Sequence, residues 1–148
     1  MSSRYQEHDS FETILSAELN SLADGGNKIV GAALSNDAAA TERRLFGNFS
    51  LSLAAQGTAR KIRGKVDLYI LPEVNDVFSY GGDSLDPSLL DFVGSFMFDA
   101  TTTARVSILQ GIRLPNSNFK PLLINDTGQA LAATGNTLIV ERDGYEDV

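Results

Sequence analysis

The sequence predicts an all-β protein, an antiparallel β-sandwich or jelly roll, with one amphipathic helix at its N-terminal end. Three observations predict it. Most of the chain beyond residue 26 carries apolar residues at a period of two, the mark of strands with one wet and one buried face. Gly, Asn and Asp interrupt these stretches at short intervals, so that successive strands join as antiparallel neighbours. Helical patterns do not alternate with the strands, as a parallel sheet would require. The 148 residues, 43% hydrophobic and 21% charged, suit one domain that buries about 70% of the surface of its unfolded chain.

Residues 1–10 hold polar and charged side chains with Tyr5 as the one large ring, so burial cannot order them and they read as a flexible arm. Residues 11–26 read as a helix and its stop. Phe11, Ile14, Leu15, Leu19 and Leu22 fall on one stripe of a 3.6-residue period, predicting a helix over about Phe11 to Ala23. Ser10 caps it, Glu12 suits its positive end, and Gly25-Gly26 ends it.

Residues 27–148 form the sandwich domain. Strands are expected at Lys28 to Leu34, Asn48 to Leu53, Lys65 to Ile70, Phe92 to Phe98, Val106 to Leu114, Phe119 to Asn125 and Thr137 to Arg142, with a possible eighth. The break in alternation at Leu109-Gln110 fits a bulge. Same-parity spacing places Phe49, Leu51, Val66, Leu68, Ile70, Phe96, Phe98, Val106, Ile108 and Ile112 in the core. Turns are expected at Gly57, Gly64, 116–118 and 126–128. The segment 72–91, with two prolines, Gly81-Gly82, five acids and no base, reads as a long loop that either serves a function or crosses between sheets.

Composition excludes several chemistries. No Cys is present and the one histidine is His8, on the expected arm, so neither a Cys-based metal site nor a nucleophile–base pair is predicted. No catalytic residue, cofactor or metal is expected. Asp83, Asp86 and Asp91 leave a carboxylate pair or a calcium site as minor alternatives to a solvated loop. A net charge of −7 works against a phosphate backbone, so no nucleic-acid partner is expected. Apolar runs such as 122–124 are far shorter than a membrane span, and the polar start is not a signal peptide.

Two features read as partner contacts. Arg60, Lys61, Arg63 and Lys65 gather a third of the basic residues beside Gly64; the plain reading is a guarded strand edge, the sharper one docking on an acidic protein surface. The Phe11, Ile14, Leu15, Leu19, Leu22 stripe either packs on a sheet or binds a neighbouring subunit. Asn48-Phe49-Ser50 and Asn125-Asp126-Thr127 match the glycosylation pattern and are taken as incidental.

The order of several segments carries a resemblance: 14–23 (ILSAELNSLA), 66–72 (VDLYILP), Gly94-Ser95-Phe96, 112–115 (IRLP), Phe119-Lys120, 125–130 (NDTGQA) and 133–138 (ATGNTL). Together they are similar to a family of small virion structural proteins of tailed bacteriophages, and the likeness runs from about Phe11 to Val140. It implies a non-enzymatic head decoration or cement protein, a trimer bound to the major capsid protein on the outside of the particle and made in the host cytoplasm. The family pattern marks no functional residues. The alternative is a tail or host-surface module that binds carbohydrate, for which Tyr69, Phe78 and Tyr80 are the candidate aromatic platforms.

Overall fold

The computed structural model describes residues 4–8, 11–25, 27–36, 44–78 and 92–147. Ten strands are formed among them: β1 (Arg4–His8), β2 (Glu12–Leu15), β3 (Asn27–Val30), β4 (Phe46–Leu53), β5 (Gly64–Val74), β6 (Val77–Phe78), β7 (Phe92–Phe98), β8 (Arg105–Arg113), β9 (Phe119–Asp126) and β10 (Thr137–Asp147). They build two five-stranded antiparallel sheets. In the first, β10 and β4 are central and β8 is one edge, while β1 and β2 lie end to end along the other side of β10. In the second the order is β3–β9–β5–β7, with β6 folded back on the end of β5.

The alternation written into β4 is realised directly. Phe49, Leu51 and Leu53 point inward while Asn48, Ser50 and Ser52 face out. From β10, Leu138 and Val140 join the same layer, and Val66, Leu68, Ile70, Phe96, Phe98, Phe119 and Leu123 of the second sheet close the core against it. Seven of the ten residues expected in the core are buried.

Four expectations need revising. No α-helix covers 11–23: Glu12–Leu15 is a strand paired with β10, and Ala17–Leu19 is a single 3-10 turn. Leu15 and Leu19 are buried and Ile14 and Leu22 pack on the core; a strand followed by a tight turn meets the same burial demand and ties the segment to β10, whereas a helix this short is marginal on its own. The arm is replaced over Arg4–His8 by β1, in register with Asp143–Asp147. Val106 and Ile108 are 61% and 57% exposed, not buried. Opposite β4, Leu109 pairs with Phe49 and Ile112 with Gly47, so the inward parity of β8 is set by Leu109 and changes at the bulge. Gly111 adopts φ +64° there, and its N–H donates to Asn48 Oδ1 at 2.9 Å. Finally, β5 runs on through Pro72 to Val74 and turns into β6, shortening the expected loop; 79–91, with Tyr80 and the three aspartates, lies outside the described residues.

Candidate functional site

The outer face of the first sheet carries a groove of about 340 Å³. Register places its floor: Ile108 of β8 stands beside Ser50 of β4, Ser50 beside Ile139 of β10, and Ile139 beside Thr13 of β2. Three strand spacings separate the ends of this row, about 14 Å. One row along, Asn48 pairs with Glu141, and Gln110 leads into the bulge. Phe11, just before β2, closes the groove with a ring that is 74% exposed.

Two kinds of surface alternate in it. Phe11, Ile108 and Ile139 are apolar; Ser50, Gln110 and Glu141 are hydrogen-bonding groups. Among the described residues none of these three has a side-chain hydrogen-bond partner. Asn48 is engaged, its Oδ1 by the Gly111 amide and its Nδ2 by Asp143 Oδ2 at 3.3 Å, so it fixes the bulge that aims Gln110. The arrangement therefore offers apolar contact and free hydrogen bonds side by side, with one carboxylate and no base in the lining.

Two of the three expected aromatic platforms, Tyr69 and Phe78, already have partners, and Tyr80 lies outside the described residues. Tyr69 meets Phe92 edge-on at 5.5 Å between ring centroids, and burial and then the nearby Asp67 charge raise its phenol pKa. Lys120 Nζ sits 4.2 Å from the Phe78 ring centre. Phe11 was legible as part of a stripe, and only the change from helix to strand puts its ring on an open face.

The basic cluster does not come together as one patch. Arg60 is 2% exposed. Its guanidinium donates to the carbonyls of Thr101 (3.2 Å), Thr103 (3.0 Å) and Ala54 (3.0 Å) and lies 5.7 Å from the Phe98 ring centre. Desolvation is the main influence on it and lowers its pKa, while Asp99 opposes this. Lys61 pairs with Asp126, and Lys65 pairs with Asp67 at 2.8 Å, which raises the lysine pKa. Arg63 is exposed on a turn at φ +58°. Of the expected helix stripe, Leu15 and Leu19 are spent in the core. Asn125 is buried, with Nδ2 donating to the carbonyls of Leu22 and Gln129 at 2.9 Å each, so it is no glycan acceptor. Among the described residues no group of three or more His, Asp or Glu side chains converges as a metal site would need, and no helix is long and apolar enough to cross a membrane.

No protein-family model matches the sequence, and no curated protein does. Among solved structures, the chain is similar to the CBM36-1 domain of a multidomain xylanase from the hindgut metagenome of Trinervitermes trinervoides. The TM-score is 0.50 at 11% identity, over 94% of this chain and 100% of that one. A family 6 carbohydrate-binding module aligns with a TM-score of 0.41 at 11% identity, over 99% of this chain and 94% of that one. At this identity the first likeness establishes the β-sandwich fold.

Proposed function

We propose that the protein is a non-catalytic binding module whose first-sheet groove holds a neutral carbohydrate chain. The single observation that carries this is the lining: an exposed ring and two isoleucines beside three polar side chains with unspent hydrogen-bonding capacity. Sugars present that same alternation, C–H faces that pack on rings and aliphatic groups and hydroxyls that exchange hydrogen bonds with amides and carboxylates. Glu141 and the net charge of −7 disfavour an anionic glycan. The fold likeness to the CBM36-1 domain is compatible with this reading, but the groove and not the fold is its basis. The test is affinity electrophoresis through gels containing neutral polysaccharides such as xylan, mixed-linkage glucan and galactan. At least one should retard the wild type, and Phe11→Ala should lose the retardation while remaining folded. Unretarded migration in all of them would contradict the proposal.

A second reading, a decoration protein on a bacteriophage head, rests on the sequence resemblance and on the exposed Val106 and Ile108 of the β8 edge. A capsid surface could bury this pair. In that case Ile108→Asp should empty particles of the protein, whereas no polysaccharide should retard it.

A further inference from the structure

The bulge in β8 decides which residue stands at the end of the open sheet face. Before it, the outward residues of the strand are Val106, Ile108 and Gln110, and an unbroken alternation would put Ile112 next. The register instead shifts between the Gly47 and Phe49 positions of β4, where Gly111 sits at φ +64° and donates to Asn48 Oδ1. Ile112 therefore turns inward and packs on the core. Arg113 takes the outward position, directly opposite Phe46.

Phe46 shares its face of β4 with Asn48 and Ser50 and lies two residues beyond Asn48, about 7 Å along the strand. Its ring is 38% exposed. Arg113 is exposed, and among the described residues nothing pairs with its guanidinium. Asp143, opposite Phe46 on the β10 side, is engaged by Asn48 Nδ2 and lies two strand spacings from Arg113, about 10 Å. The groove, with one carboxylate and no base in its lining, thus runs on to a half-open ring with a free cation beside it.

We infer that Phe46 and Arg113 form a second subsite, which takes a carboxylate-bearing sugar unit carried by the neutral chain in the groove. The inference rests on the carbohydrate reading above. A sugar ring can pack its C–H face on Phe46, and a guanidinium fork can donate two parallel N–H bonds to a carboxylate. Glu141 and the net charge of −7 repel a chain that is acidic throughout. They tolerate a sparse acidic substituent that falls at Arg113, so the substrate class is a neutral polysaccharide with occasional acidic units.

The experiment is affinity electrophoresis of the full chain through each polysaccharide named above, native and lightly carboxymethylated. The wild type should be retarded about twofold to fivefold more by the carboxymethylated form of its ligand, and the difference should shrink as salt rises. Arg113→Gln should lose this preference and keep the retardation by the native polymer. Arg63→Gln removes an exposed charge from the other end of the sandwich and should keep the preference, which separates a local contact from a change in net charge. Retardation of the wild type that is equal or weaker on the carboxymethylated form, or a preference that survives Arg113→Gln, would overturn the subsite alone. If neither form of any polysaccharide retards the protein, the carbohydrate reading fails and the subsite with it.

Discussion

Arg60 shows how far a residue's role depends on where the backbone carries it. In sequence it is one of four clustered bases; in the fold its guanidinium occupies three loop carbonyls. Replacing it by Met leaves those carbonyls without their charged donor, so Arg60→Met should lower unfolding stability by about 3 kcal/mol in urea denaturation. Arg63→Ser, on an exposed turn, should stay within about 0.5 kcal/mol. The same contrast separates residues of the expected core. Leu68→Ala should cost about 2–5 kcal/mol through lost transfer energy and a cavity, whereas Ile108→Ser should be nearly neutral. Equal midpoints for Leu68→Ala and Ile108→Ser would show that the inward face of β8 had been misassigned. The segment that most strongly suggested a family also has a structural account: Gly128 and Gly135 take φ +85° and +83°, Asn136 ties together the Ala54 amide, the Ala132 carbonyl and the Asn20 side chain, and a Cβ on Gly128 would stand 2.8 Å from Lys61 Cβ.

At the scale of elements, seven strands were legible because a two-residue period has one physical reading when one face is buried. β4 follows it throughout, and β5 follows it as far as Ile70. The N-terminal segment was not legible, because Phe11 to Leu22 happens to match a helical stripe, and the decisive fact, a free side of β10 awaiting a partner, lies more than a hundred residues away. In β8 the bulge was foreseen but its consequence was not: three apolar residues of one parity outvoted Leu109, and the site face was counted as core. Asn48 and Gly111 jointly hold this bulge. Gly111→Ala should cost about 1 kcal/mol for the left-handed backbone, since nothing lies within 4 Å of an added Cβ. Asn48→Ala should cost about as much for the lost hydrogen bond. The double variant should lose less than the sum, because both changes release the same contact. Strict additivity would mean that Asn48 does not secure the bulge.

The whole molecule is a two-sheet scaffold whose first sheet leaves one grooved face open. The groove could not be read from sequence, because it needs β2, β10, β4 and β8 side by side, four segments from opposite ends of the chain. The sequence reading reached the β-sandwich fold, and it named carbohydrate binding as the alternative to a capsid role. The most direct test of the central claim is an amide chemical-shift map recorded while a neutral oligosaccharide, chosen from the retarding polysaccharide, is titrated into the full chain. Shifts confined to residues around Phe11, Ser50, Ile108, Gln110 and Ile139, and lost in Phe11→Ala, are the predicted result. Saturable shifts centred elsewhere, or shifts that persist unchanged in Phe11→Ala, would contradict it.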